Sequence, residues 1–259
     1  KCPVLQRMTD MIAHRGPDSE GHYIDEHAAL GHRRLSIIDL GGGQQPIYNE
    51  DGSKVITFNG EIYNYQTLRE ELIAAGHTFT TKSDTEVLLH GYEQWGVDLL
   101  QRVRGMFTFV IWDKNKQELF GARDHFGIKP FYYAKMNGTF MYASEIKSLL
   151  RHPDFVKELN AEALKPYMTF QYPAIGETFF KGVYKLPEGH YFTYRDGKMD
   201  IHRYYDEDFR EGKQKLGELV NSIDQTVCDS VKAHQIADVE VGSFLSSGVD
   251  SSYVAAVAR

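Results

Sequence analysis

Cysteine is nearly missing from this chain: its 259 residues hold two, Cys2 and Cys228. Two thiols cannot build a disulfide framework, and a reducing compartment fits best. No apolar stretch approaches the roughly 20 residues needed to span a bilayer, which argues against a membrane partner. No signal peptide is visible in the sequence given, so the expectation is a cytoplasmic protein. Basic runs are missing too. With 29 basic and 36 acidic residues the formal charge is −7, and without a basic–aromatic stripe nucleic acid is not an expected partner. Internal repeats and low-complexity segments are absent. What remains is a composition 42% hydrophobic, ordinary for a globular protein, and a length that admits one large domain or two smaller ones at roughly 150 residues each.

Short strands dominate the first two hundred residues. Val55 to Phe58 is apolar and β-branched and runs into Asn59-Gly60; Met106 to Trp112 and Glu118 to Arg123 read as neighbouring strands. Asn137-Gly138 and Asp196-Gly197 each separate two strand-like runs, and such dipeptides tolerate the positive φ angles of tight turns. Helices interrupt the strands. Asn64 is a candidate cap for a helix with Leu68, Leu72 and Ala75 on its inner face, stopping at Gly76. Ser83-Asp84-Thr85-Glu86 has the spacing of a capping box, followed by Val87, Leu88, Gly91 and Trp95, with Gly96 as the stop. This mixture predicts an α+β domain of packed sheets.

The composition shifts at Asp206 to Gly212, a polar, charged candidate linker that divides the chain into units 1–206 and 213–259. Beyond it Leu216, Leu219, Val220, Ile223, Val227 and Val231 recur at helical spacing. A short apolar strand is expected over Val239 to Leu245, then the loop SSGVDSS, then a helix through Tyr253. Strand, small-residue loop and helix make the opening unit of a parallel α/β sheet. Small residues at a helix N-terminus let free N–H groups approach a phosphate, and serine hydroxyls add donors. No Lys follows a Gly, so this is not the usual P-loop of ATPases. From physics alone, a plain strand-to-helix turn explains the segment equally well. The segment Val241 to Ser252 resembles the pyrophosphate-binding loop of the ATP pyrophosphatase family, Ser-Gly-Gly-x-Asp-Ser-Ser. The resemblance implies ATP contacts from Leu245, Ser246, Gly248, Val249, Asp250, Ser251 and Ser252, with Asp250 toward a Mg2+ ion, a hard cation that prefers carboxylate oxygens. Ser247 stands where the family has glycine, and its side chain is expected to crowd the pyrophosphate or force an unfavourable φ.

Five upstream motifs are each modest alone: HRGPDSEG (His14 to Gly21), HRRLSIIDL (His32 to Leu40), FNGEIYN (Phe58 to Asn64), SDTE (Ser83 to Glu86) and RDHFGIKPFYY (Arg123 to Tyr133). Read locally, Asn-Gly is most often a hairpin turn and an Asp at a helix start most often a cap. In this order, with SSGVDSS following, they resemble the glutaminase domain of class II glutamine amidotransferases, and within that group the asparagine synthetases. The match runs from about His14 to Arg259, and Pro166 to Tyr172 adds to it.

The resemblance implies a four-layer αββα sandwich of the N-terminal-nucleophile type, followed by the start of an α/β ATP pyrophosphatase domain. It implies that Arg34 clamps the glutamine α-carboxylate, a task suited to a guanidinium fork. Leu35, Ser36, Ile37 and Ile38 would lie beside it, Asn59 and Gly60 would form the oxyanion hole, Glu61 would line the pocket, and Asp84 would hold the ammonium. A zwitterionic amide substrate needs one cation, one anion and a pair of amide-polarising donors, and these residues supply them.

The family opens Met-Cys-Gly-Ile-Val-Gly, its cysteine attacking the glutamine amide with the α-amino group as base. Cys2 is followed by Pro3 and precedes Arg15 by only 13 positions, so it does not match that nucleophile. Cys228 falls mid-helix, where a small buried hydrophobe is the usual reading. The nucleophile is therefore expected upstream, and the chain as given is expected to be inactive as a glutaminase. The implied whole reaction is that of a carbon–nitrogen ligase: glutamine hydrolysis to ammonia, ATP-dependent adenylation of aspartate, and release of asparagine, AMP and pyrophosphate. Its partners are glutamine, aspartate and ATP, and a homodimer is compatible with it. The alternatives are a related two-domain amidotransferase with another acceptor and a non-catalytic glutamine-binding paralogue.

Overall fold

The computed structural model describes residues 2–172, 174 and 176–259; of Cys2 it describes the backbone alone. Helix α1 (Cys2–Asp10) is followed by strands β1 (Ser19–Ile24), β2 (Ala29–Arg34), β3 (Ile47–Tyr48) and β4 (Lys54–Ile62). Helices α2 (Tyr65–Ala74) and α3 (Asp84–Trp95) come next, then β5 (Gly105–Asp113), β6 (Glu118–Arg123), β7 (Tyr132–Met136) and β8 (Thr139–Ala143). After α4 (Ile146–Leu149) and α5 (Leu164–Phe170) come β9 (Val183–Lys185), β10 (His190–Arg195) and β11 (Lys198–Arg203), and finally α6 (Leu216–His234) and α7 (Val249–Val257).

The strands form a six-stranded antiparallel sheet in the order β11-β10-β6-β5-β4-β3, and a second layer made of β1-β2 and of β8-β7-β9. Three apolar cores separate four layers, the expected α+β sandwich. Ile56, Phe58, Leu68, Leu72, Val87, Leu88, Phe107, Phe109 and Ile111 pack the six-stranded sheet against α2 and α3. Leu30, Val55, Val110, Trp112, Phe131 and Phe192 fill the space between the two sheet layers. Met141, Leu149 and Val183, with Met8 and Ile146, pack the outer helices α1 and α4 on the second layer. The strand period of two explains the split. In β4, Val55 faces the second sheet while Ile56, Phe58 and Ile62 face the helices. Asn59 and Glu61 share the parity of Val55 and therefore point between the sheets.

Both hairpins form as expected, with left-handed φ of 50° at Asn137 and 81° at Gly138, and of 50° at Asp196 and 74° at Gly197. Four local expectations are corrected. Asn64 does precede α2, but it makes no capping bond; its amide instead donates to Arg102 O at 2.9 Å and accepts from Arg104 N at 2.9 Å. Ala75 is exposed, so Leu68 and Leu72 alone form the buried face. Ser83 caps α3 by accepting the Thr85 N–H, but the box stays open because the Glu86 carboxylate turns away to Thr80 and Thr81. Val239 to Leu245 forms no strand: a single extended segment with no neighbour has no ladder to join.

The linker over Asp206 to Gly212 is exposed and irregular. Helix α6 follows with the predicted spacing, and much of its apolar face is exposed at Leu216, Val220 and Ile223. Cys228 is half-buried rather than buried. Among the described residues, no helix is long and apolar enough to cross a membrane.

Candidate functional site

A cavity of about 940 Å³ opens between the sheet layers, lined by Arg34, Leu35, Ile37, Ile38, Asn59, Gly60, Glu61 and Asp84. Eight of the nine expected glutamine contacts thus meet in one space, although they come from β2, the loop after it, β4 and the start of α3. Ser36 is the exception: its backbone N–H donates to Asp18 Oδ2 at 2.8 Å. The carbonyls of the loop are already engaged. Ile38 O accepts from Arg34 Nη2 at 2.8 Å, and Ile37 O accepts from Asp238 N at 2.9 Å.

Arg34 ends β2 and is 6% exposed. Its Nη2 is also tied to Asp39 O at 2.8 Å, so the loop carbonyls aim the fork before any ligand arrives. Burial pushes the guanidinium pKa down, opposed by Asp39, Asp84 and Asp18. A β-carbon at Gly43 would come within 2.5 Å of Arg34 Nη2 and 3.1 Å of Ser83 Cβ; only glycine lets this loop close over the arginine.

Asp84 starts α3 and is 5% exposed. Burial pushes its carboxyl up to about 6, helped by the charge of Glu61 and resisted by the N–H of Ile62 and the hydroxyl of Ser83. Glu61 is likewise raised by burial, against the pull of Lys129 and His234. Sequence reading gave no role to Lys129, which lines the same cavity. Its position is set by Arg123 and Asp124. The Asp124 carboxylate accepts from the N–H groups of Phe126, Ile128, Lys129 and Phe107, winding the loop around itself. The motif carries this function, but nothing in its spacing reveals the winding. His32 was also passed over. It is half-buried, donates from Nε2 to Phe58 O across 2.9 Å, leaves Nδ1 without a partner, and desolvation lowers its pKa to about 4.

Asn59-Gly60 lies inside β4, not in a turn: the pairing with β5 runs unbroken from Lys54↔Asp113 to Ile62↔Gly105. The register directs the Gly60 amide. Phe107, its partner, spends both backbone groups on Asp124 at the far side, so Gly60↔Phe107 is a pair without mutual hydrogen bonds. The Gly60 N–H therefore points off the sheet, as do those of Phe58 and Ile62, which reach Gln45 Oε1 at 2.6 Å and Asp84 Oδ2 at 3.0 Å. Beside it, Asn59 Nδ2 is buried with no hydrogen-bond partner. A buried unpaired amide donor is costly in a protein that never fills it. Two donors of adjacent residues thus face a cavity that also holds a cation and an anion.

The model of the glutamine amidotransferase domain matches residues 1–205, and that of asparagine synthase matches residues 222–259. The chain belongs to the glutamine amidotransferase family. Among curated relatives, asparagine synthetase [glutamine-hydrolyzing] 1 of Bacillus subtilis is 47% identical over 257 residues, covering 99% of this chain and 40% of the relative. Amidase chry2 of Gibberella zeae is 36% identical, covering 97% of this chain and 38% of the relative. The chain thus spans about two fifths of the length of the curated relatives it matches. The fold is that of the glutamine phosphoribosylpyrophosphate amidotransferase structure from B. subtilis, at 19% identity and a TM-score of 0.51, covering 89% of this chain and 49% of that one.

The second loop lies apart from the cavity. Leu245, Ser246, Gly248, Val249, Asp250, Ser251 and Ser252 are mostly exposed around the N-terminus of α7. Ser246 Oγ and Ser251 Oγ lie 2.7 Å apart, and Ser252 Oγ donates to Gly248 O at 2.8 Å. Among the described residues, Ser247 is not one of those with positive φ, so the serine causes no backbone strain there. The Cys2 side chain, which the motif comparison set aside as nucleophile, lies outside the described residues. The described cysteine, Cys228, sits in α6 and does not line the cavity.

Proposed function

We propose that the cavity binds glutamine and that the whole protein makes asparagine from aspartate with the ammonia released. The observation that carries this reading is the buried, unpartnered Asn59 Nδ2 beside the outward Gly60 N–H, between Arg34 and Asp84. Arg34 takes the α-carboxylate through its fork, and Asp84 takes the α-ammonium, which lowers the carboxyl pKa again and keeps it charged. The side-chain amide then reaches Asn59 and Gly60. Their donors stabilise the oxygen as it gains charge, so they act most strongly in the transition state. Glu61 and Lys129 flank the amide end, with Leu35, Ile37 and Ile38 forming the wall beside the carboxylate.

The attacking thiolate belongs to a cysteine on a segment upstream of Lys1. Both β2 and β8 line the cavity, and among the described residues each pairs on one side only; an extended segment laid between those two edges would bring its first residues to Asn59. The unit 1–206 is then the glutaminase and 213–259 the start of the synthetase unit. In the latter, the free N–H groups at the start of α7 and the serine hydroxyls fit the phosphates of ATP, and Asp250 would hold Mg2+. ATP activates the aspartate carboxylate as its adenylate, and ammonia displaces AMP. A cytoplasmic homodimer is the assembly this reading favours.

The test follows AMP and pyrophosphate in the full-length protein given aspartate, ATP and glutamine. AMP formed in step with asparagine supports the proposal; absence of AMP sinks it. A second reading, an acceptor other than aspartate, is favoured by the likeness to a relative named an amidase. It predicts AMP release with another carboxylate and none with aspartate.

A further inference from the structure

Away from the glutamine cavity, four side chains converge where the β3–β4 turn, the α2–α3 loop and α3 meet. We propose that Glu50, His77, His90 and Glu93 bind one divalent transition-metal ion, best matched by zinc, which pins these three segments together. One ligand atom from each lies within 4.8 Å of every other. His90 Nδ1 is 3.1 Å from Glu93 Oε2 and 3.3 Å from Glu50 Oε2, and His77 Nδ1 is 3.1 Å from Glu50 Oε1. A tetrahedral ion with bonds of about 2.0–2.1 Å holds its ligand atoms roughly 3.4 Å apart. The three short edges already match it, and the wider ones, up to 4.8 Å, must close on the ion.

The surroundings of a metal site are also present. A ligating histidine is usually oriented by a partner on its other ring nitrogen. His90 Nε2 lies 3.5 Å from Glu86 Oε1, without a hydrogen bond, in a residue with no exposed surface. Glu86 is itself fixed by the N–H and hydroxyl groups of Thr80 and Thr81. His77 Nε2 lies 3.3 Å from Gln94 Oε1. The remaining oxygen of Glu93 accepts from Asn49 Nδ2 at 2.7 Å and Lys54 Nζ at 3.3 Å, leaving Oε2 for the ion. This explains why Glu86 abandons its capping role: its carboxylate steers His90.

Charge supports the same occupant. Glu50, Glu86 and Glu93 bring three carboxylates to one buried imidazole, with Lys54 as the neighbouring fixed cation. A divalent cation bound at His90 Nδ1 balances these carboxylates. Two imidazoles with two carboxylates suit zinc better than the oxygen-seeking calcium or magnesium. Four protein ligands fill its tetrahedron, which makes the site structural rather than catalytic.

The experiment uses the untagged full chain, stripped with chelator and titrated with ZnCl2 by calorimetry at pH 7, beside His77→Gln and Glu50→Gln. Both substitutions lie at the rim and leave buried His90 in place. The expected result is one tight equivalent in the wild type, with affinity at least tenfold weaker in each variant. Thermal unfolding should shift upward with zinc in the wild type alone, while the metal-free midpoints of the three proteins agree within a few degrees. If the wild type shows no stoichiometric zinc binding, or if both variants bind as it does, the cluster is a hydrogen-bonded histidinium cage and the proposal fails.

Discussion

Ile62 donates its backbone N–H to Asp84 Oδ2 across 3.0 Å, fastening the end of β4 to the first turn of α3. That bond places the buried carboxylate beside the Asn59-Gly60 donors, and it favours the charged form while burial opposes it. Burial wins, and the carboxyl pKa stands near 6. The sign follows: well below the ordinary carboxyl pKa the group is neutral in both folded and unfolded protein and costs nothing. As pH rises from there through 6 the unfolded chain ionises first, and about 3 kcal/mol of stability is lost, none of it regained at higher pH. A glutamine ammonium in the site offsets this cost. Glutamine affinity should therefore be flat from pH 7 to 8 and fall roughly tenfold per unit below 6. Asp84→Asn should abolish that pH dependence and weaken binding. At pH 7.5 it should also raise the unfolding free energy by on the order of 1 kcal/mol or more, because it removes the buried charge. Calorimetric titration and denaturant melts measure both; a variant that loses stability instead would contradict the assignment.

Asn59 makes the opposite kind of prediction. Its Nδ2 has no partner in the free protein, so Asn59→Ala removes no hydrogen bond to that nitrogen and should leave the unfolding midpoint unchanged or slightly higher. In the full-length protein the glutaminase kcat should drop on the order of 10²–10³-fold while KM moves little, because the donor acts on charge that develops only in the transition state. A large KM change with unaltered kcat would mean that Asn59 holds the ground state instead.

How far the sequence foretold these features depends on range. The hairpins at Asn137-Gly138 and Asp196-Gly197 were legible because turn chemistry is local. Asn59-Gly60 has the same local chemistry, yet it lies inside β4. There the pairing with β5 and the apolar neighbours Phe58 and Ile62 override the turn preference. The family motifs named the lining residues, and eight of nine meet at the cavity. Lys129 and His32 were missed because only the wound loop around Asp124 and the crossing of β2 over β4 bring them there. Glu86 has capping-box spacing and a different partner, a choice made by the distant His90. The strand over Val239 to Leu245 failed for a related reason: an apolar run becomes a strand only when a neighbour supplies its ladder.

The linker gives a prediction about units. Among the described residues, the packed cores involve none beyond Tyr204, and Arg210 sits in the exposed stretch from Asp206 to Gly212. Brief trypsin treatment should cut after Arg210 before any site in the sheets. A chain ending at Asp206 should then unfold in one cooperative transition near that of the whole chain. Collapse of that transition would show that the glutaminase unit needs α6 or α7.

Arg123 tests the loop that carries Lys129. It is 2% exposed, and its guanidinium donates from Nε to Lys129 O at 2.8 Å, from Nη1 to Leu186 O at 2.6 Å and from Nη2 to Gly127 O at 2.5 Å. Three carbonyls in three directions require the planar fork; a lysine ammonium reaches at most one or two of them and leaves the others buried and unpaired. Hydrogen bonds from a charged group contribute roughly 1.5–3 kcal/mol each, so Arg123→Lys should cost about 3 kcal/mol or more. For a chain of this size that corresponds to a fall in Tm of roughly 6–12 °C. Gly127 approaches within contact of the same guanidinium at φ 65°, and Gly127→Ala should destabilise through both strain and crowding. If the arginine serves the loop alone, Arg123→Lys should also raise KM for glutamine, because Lys129 loses its anchored carbonyl and drifts from Glu61. A stability loss with unchanged KM would separate the fold from the site and remove Lys129 from the pocket.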